Sequence, residues 1–155
     1  MSFHGLPERQ IHKTDSDGHC TPSDRHASCC SSISSRNTFC YRAQCFATAR
    51  AIASSLNISS GKYTVCFQSR LGRAEWVKPY TTTVLEECAK RGDKKLLVFA
   101  PAFTSDCLET IYEIGVEYHE LFRSMGGEKV QMVESVNEHP VFIESLAKLS
   151  LRQAQ

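Results

Sequence analysis

Hydrophobic and polar positions fall in blocks along this chain, with a period that switches between helix and strand. In "CFATARAIASSLNI" (45–58), Cys45, Ala49, Ile52, Ala53 and Leu56 recur at helical spacing. "YTVCFQ" (63–68) predicts a short buried strand. "TTTVLEECAKRGD" (81–93) predicts a helix that begins at its threonines and stops at Gly92. "KLLVFAP" (95–101) is a continuous apolar run, the pattern of a central parallel strand covered on both faces. A long helix is predicted over 105–127, a short strand within 128–135, and a last helix over 139–153 with Pro140 in its first turn. The alternation of strand and helix predicts an α/β fold with a doubly wound, mostly parallel, Rossmann-like sheet and right-handed crossovers.

In such a sheet ligands bind beyond the carboxyl ends of the strands. The predicted strand ends carry His4, followed by a Gly5–Leu6–Pro7 turn, then Gln68–Ser69–Arg70 and Phe103–Thr104–Ser105. On a wheel of about 100° per residue, Ile111, Ile114, Gly115, Tyr118, Leu121, Phe122 and Met125 form one stripe of the long helix. Glu109, Glu113, Glu117 and Glu120 form a row opposite it. Neighbouring carboxylates in such a row repel by roughly 0.2–0.5 kcal/mol per pair. The row reads as a solvated face, as a capping box between Asp106 and Glu109, or as a track of oxygen ligands for a divalent cation or its protons.

Composition narrows the function classes. The chain of 155 residues has 18 basic and 17 acidic residues, a formal charge of +1, so electrostatics give no case for nucleic acid. The length suits a single domain. No apolar run approaches the ~20 residues of a membrane span. "MSFHGLPERQIHK" has no signal-peptide core, so a reducing, cytoplasmic setting is expected. Eight cysteines in that setting favour metal ligation or burial over disulfides. The segment "DSDGHCTPSDRHASCCSSISSR" is poor in aliphatics and reads as an insertion spanning about 15–40.

Four stretches, "SFHGLPER", "FQSRLGRAEWVKPYT", "APAFTSDCLETIYEIGVEY" and "NEHPVFIESLA", follow one another as they do in ferrochelatases. These enzymes insert ferrous iron into a porphyrin, protoporphyrin IX or coproporphyrin III, at the end of heme synthesis. The resemblance covers the chain apart from 15–40 and corresponds to the C-terminal half of a two-domain enzyme. It implies that His4 takes pyrrole protons or binds the metal, that Glu109 opposes it across the porphyrin, and that Glu113 and Glu117 form an acidic path. It further implies substrate contacts for Phe103, Ser105, Asp106, Trp76, Gln68, Ser69 and Arg70. A carboxyl of raised pKa at Glu109 would suit the proton work. Many members carry His where this chain has Cys107.

Within the insertion, the resemblance to cysteine-rich bacterial ferrochelatases implies a [2Fe–2S] cluster on Cys20, Cys29, Cys30 and Cys40. Tetrahedral zinc and an unliganded loop remain open, with His19, His26 or Cys45 as substitute ligands. Cys66 and Cys88 read as core residues. The strand ending at His4 should contain about 5–6 residues, yet only Met1, Ser2 and Phe3 precede that histidine. The expectation is a truncated product or half of a split enzyme, with the N-terminal domain absent and little chelatase activity alone. Its partners would be porphyrin, ferrous iron and the missing half, with peripheral membrane contact left open. The alternative is a non-catalytic iron–sulfur or heme-binding module.

Overall fold

The computed structural model describes residues 1–14 and 29–153. Strand β1 (Ser2–His4) pairs in parallel with β2 (Cys66–Gln68), and β3 (Lys95–Val98) in parallel with β4 (Lys129–Met132). The Ser2 N–H donates to the Phe99 carbonyl at 2.8 Å, which brings β1 beside the end of β3 and gives the spatial order β2–β1–β3–β4. Parallel neighbours need crossovers. They are supplied by α2 (Tyr41–Ser55, after the short α1, Glu8–His12), by α3 (Thr81–Arg91), and by a π-helix (Glu109–Tyr118) continuing into α4 (His119–Ser124).

The step from β1 to β2 runs opposite in direction to the steps β2 to β3 and β3 to β4. Right-handed crossovers therefore put α2 on one face and α3 with the π-helix on the other. The core divides accordingly. Ala43, Cys45 and Ala49 of α2 pack with Phe3 and Phe67, while Leu85 and Cys88 of α3 pack with Val98, Ile114, Tyr118 and Phe122. The expected doubly wound α/β layer is what forms. Gly92 caps α3 with φ 91°, a conformation open to glycine at little cost. Cys66 and Cys88 are core residues, as expected.

Three expectations change. The long helix begins near Leu108 rather than at 105, and its first ten residues close i→i+5 hydrogen bonds. A turn widened beyond four residues stacks positions four apart. Thr110, Ile114, Tyr118 and Phe122 are the buried row, while Ile111, assigned inward by the α-helical wheel, is 58% exposed. Strand β3 is not covered on both faces, because Leu97 is 70% exposed. Helix α5 (Pro140–Gln153) forms where predicted, but leaves Val141, Ile143, Leu146, Leu149 and Leu151 exposed. Among the described residues, no helix is long and apolar enough to cross a membrane.

Candidate active site

The site is built at the carboxyl ends of β1 and β2. Register places His4 beside Gln68. Gly5 then turns the chain: its N–H donates to the Gln68 carbonyl at 2.8 Å, and a Cβ there would meet that oxygen and the Trp76 ring. Glycine is needed for this close approach. A bridge between Pro7 and Trp76 holds the following segment back against the turn. As a result the His4 ring lies 6.4 Å from Trp76 and 5.9 Å from Phe103, centroid to centroid. Tyr41 from α2 donates its hydroxyl to the His4 carbonyl at 2.7 Å.

His4 Nδ1 lies 2.6 Å from the Gly5 carbonyl oxygen. A carbonyl only accepts, so the geometry assigns the proton to Nδ1 and leaves Nε2 as the basic nitrogen of the neutral ring. Glu109, far away in sequence, is close enough for His4 to favour its ionised form. The Cys107 side chain does so most strongly, followed by the backbone N–H of Glu109. The Glu109 carboxyl is therefore held below the ordinary carboxylate value, opposite to the raised value expected from sequence. The physical reason is that the group is open to solvent and hydrogen-bonded, so desolvation is outweighed.

Behind this pair lies a polar network. The buried Gln68 side-chain amide donates to the Glu109 carbonyl (2.8 Å) and to Glu113 Oε2 (3.0 Å), while its oxygen accepts from Ser2 Oγ (2.6 Å). Glu113 also receives the Ser69 N–H (2.8 Å), the Ser69 hydroxyl (2.6 Å) and the Tyr118 hydroxyl (2.6 Å). Ser69 holds φ 64° to present both donors. Gln68 is buried, at 2% exposure. It and the half-buried Ser69 tie the end of β2 to the π-helix.

The remaining expected residues separate into two groups. Trp76 and Phe103 face His4, and the Trp76 indole N–H is buried with no acceptor among the described residues. Ser105 and Glu117 are exposed near the helix start and along its acidic row. Arg70 instead stacks its guanidinium 4.9 Å from the Tyr80 centroid. Asp106 forms no capping box. Its carboxylate accepts from Asn137 Nδ2 (2.9 Å), the Ser135 N–H (3.2 Å) and Thr110 Oγ1 (3.2 Å), and its own N–H donates to Asn137 Oδ1 (2.9 Å). Asn137, at φ 45°, was invisible to sequence reasoning, because only the fold brings it to the loop before the π-helix.

Asn137→Ala is expected to lower Tm by roughly 2–6 °C, through lost hydrogen bonds and left-handed strain. Asn137 is the leading cause that holds the Asp106 carboxyl below its ordinary 3.8. A depressed carboxyl stabilises the fold above its unfolded value and loses that contribution as pH falls through the folded one. The Tm gap between Asn137→Ala and the natural chain should therefore narrow below about pH 4.

The cysteines form a second cluster. Cys40 is the N-cap residue of α2. Hydrogen bonding with Cys30 lowers its thiol to about 6 against the effect of burial, with the Ala43 and Arg42 N–H groups helping. Cys29 Sγ lies 3.8 Å from Cys30 Sγ. Arg50 holds the Cys30 carbonyl, and Asn37 holds the Cys29 and Ser32 carbonyls. Cys45 is buried, its thiol pushed up to about 12 chiefly by burial. Among the described residues no three side chains close into a metal-holding group. Cys20, His19 and His26 lie outside the described residues.

The chain is 47% identical over 156 residues to the ferrochelatase of Ectopseudomonas mendocina, covering all of this chain and 45% of that protein. It is 45% identical to a ferrochelatase of Coxiella burnetii (100% and 43% covered) and 48% identical to that of Pseudomonas entomophila (95% and 43%). The chain thus spans less than half the length of these relatives. A family model for ferrochelatase matches residues 1–154, and with that match the chain belongs to the ferrochelatase family.

Proposed function

We propose that this chain supplies the C-terminal half of an enzyme that inserts ferrous iron into protoporphyrin IX or coproporphyrin III, with the tetrapyrrole lying between His4 and Glu109. The observation that carries the reading is the His4 ring at the end of β1, flanked by Trp76 and Phe103, beside Gln68, whose amide binds the Glu109 carbonyl at the start of the π-helix. Metallation removes two pyrrole N–H protons while a divalent ion enters the ring. His4 Nε2, left basic by the Nδ1 contact, accepts a proton or ligates the incoming iron. Glu109, favoured as a carboxylate, acts as proton acceptor or hard oxygen ligand for Fe2+. Trp76 and Phe103 offer ring surface to the macrocycle, and exposed Glu117 continues the acidic row toward solvent.

In the same reading Cys29, Cys30 and Cys40 are three ligands of a [2Fe–2S] cluster, with Cys20 the fourth. The Cys29–Cys30 thiol pair at 3.8 Å and the Cys30–Cys40 hydrogen bond, which favours the Cys40 thiolate at the start of α2, support this assignment. Iron insertion transfers no electron, so the cluster's part is structural or sensory.

The test is to join the chain to the N-terminal half of the Ectopseudomonas ferrochelatase and follow porphyrin fluorescence under anaerobic Fe2+. Loss of fluorescence with turnover is expected. A folded fusion with no turnover overturns the assignment.

A further inference from the structure

Two hydroxyls are buried beneath the candidate site. Ser2 is 0% and Thr81 2% exposed, in surroundings where an unbonded hydroxyl is costly. Successive side chains along a strand alternate, so Ser2 shares a face of β1 with His4, while Phe3 between them packs against α2. Thr81 is the first residue of α3, which covers the face opposite α2. Ser2 Oγ lies 2.6 Å from Gln68 Oε1 and 2.9 Å from Thr81 Oγ1.

Elimination assigns each hydrogen along these contacts. The Glu109 carbonyl and an ionised Glu113 only accept, so the Gln68 NH2 group must face them, at 2.8 and 3.0 Å. That orientation turns Gln68 Oε1, also only an acceptor, toward Ser2. A flipped amide would set its oxygen against both acceptors instead. Ser2 spends its one hydrogen on Gln68 and accepts at its other contact, so Thr81 is the donor there. The bonds therefore run one way, from Thr81 to Ser2 to Gln68 and on to Glu109 and Glu113. Hydrogen bonds in such a series polarise and strengthen one another.

We propose that Ser2 and Thr81 are positioning residues for the candidate active site: they lock the Gln68 amide in one orientation, and so fix the start of the π-helix that carries Glu109 against the strand that carries His4. One strand then sets both sides of the site, His4 directly and Glu109 through Ser2 and Gln68. Removing the Ser2 hydroxyl strands Gln68 Oε1 and the Thr81 donor together, whereas removing the Thr81 hydroxyl leaves only a Ser2 lone pair unused. The Ser2 link is accordingly the stronger one. That the lock serves iron insertion rests on the chelatase reading above.

The test follows exchange of the Gln68 side-chain amide hydrogens by NMR in the full chain, with porphyrin and iron absent. Ser2→Ala is expected to speed that exchange by about tenfold, and Thr81→Val by about two- to fivefold. Thr81→Ser keeps the hydroxyl and should stay within about twofold of the natural chain. Thr82→Val, at the exposed neighbouring position, should change nothing. In the completed enzyme, Ser2→Ala and Thr81→Val should lower kcat by roughly three- to thirtyfold with porphyrin KM little changed, and Thr81→Ser should restore most of the loss. Either variant decides the matter should the other not fold. Natural Gln68 exchange in a folded Ser2→Ala or Thr81→Val chain, a Thr81→Ser chain as impaired as Thr81→Val, or a lowered Tm at unchanged kcat overturns the proposal. A completed natural enzyme without turnover overturns the chelatase reading instead, and the exchange rates still decide the lock.

Discussion

In the completed enzyme, His4→Ala is expected to lower kcat for iron insertion by roughly 10²–10⁴-fold, with porphyrin KM little changed. The argument rests on where the imidazole sits. Its Nδ1 is engaged by the adjacent Gly5 carbonyl, its backbone carbonyl is held by Tyr41, and its ring is flanked by Trp76 and Phe103. The two ring contacts that would bind a flat macrocycle survive the substitution, so ground-state binding should persist. The basic Nε2 does not survive. A rise in KM at unchanged kcat would instead make His4 part of the binding surface alone.

The second large effect is on folding. Glu113→Leu is expected to destabilise the chain by about 3–5 kcal/mol, a fall in Tm of roughly 6–20 °C. The carboxylate receives four hydrogen bonds, from Gln68, from the N–H and hydroxyl of Ser69, and from Tyr118. Leucine would strand those donors against the π-helix, whereas Glu113→Gln keeps one acceptor oxygen and should fall between. Thermal unfolding of the three proteins separates two roles for this residue. A relay carboxylate would slow metallation with Tm unchanged, and a Tm within 2 °C for Glu113→Leu would contradict the positioning role derived from these bonds.

Much of the fold was legible because the apolar periods were strong. The helix at 81–91 with its Gly92 stop, the parallel strands, and the small-residue face of Ala49 and Ala53 follow from spacing alone. The π-helix was not legible. An apolar stripe read at about 100° per residue cannot reveal that the turn is widened, and so Ile111 was placed on the wrong face. Leu97 misled for another reason: an apolar run reports that a surface is meant to be covered, not by what.

At the site, Trp76 and Phe103 flank His4, while Gln68 and Ser69 bind Glu113 and Asp106 binds Asn137. Their hydrogen-bonding side chains look the same in sequence whether they face a ligand or a helix. Asn137 and Ser2 gave no signal at all, being ordinary polar residues until the chain folds them against Asp106 and Gln68.

The most direct test of the central claim is a double-mutant cycle on iron insertion in the completed enzyme, with His4→Ala, Glu109→Gln and both together. If the imidazole and the carboxylate act on one porphyrin, the two losses in kcat will be strongly non-additive, the double variant scarcely slower than the worse single one. Losses that multiply independently, or a Glu109→Gln enzyme as fast as the natural one, would show that these groups do not share a substrate.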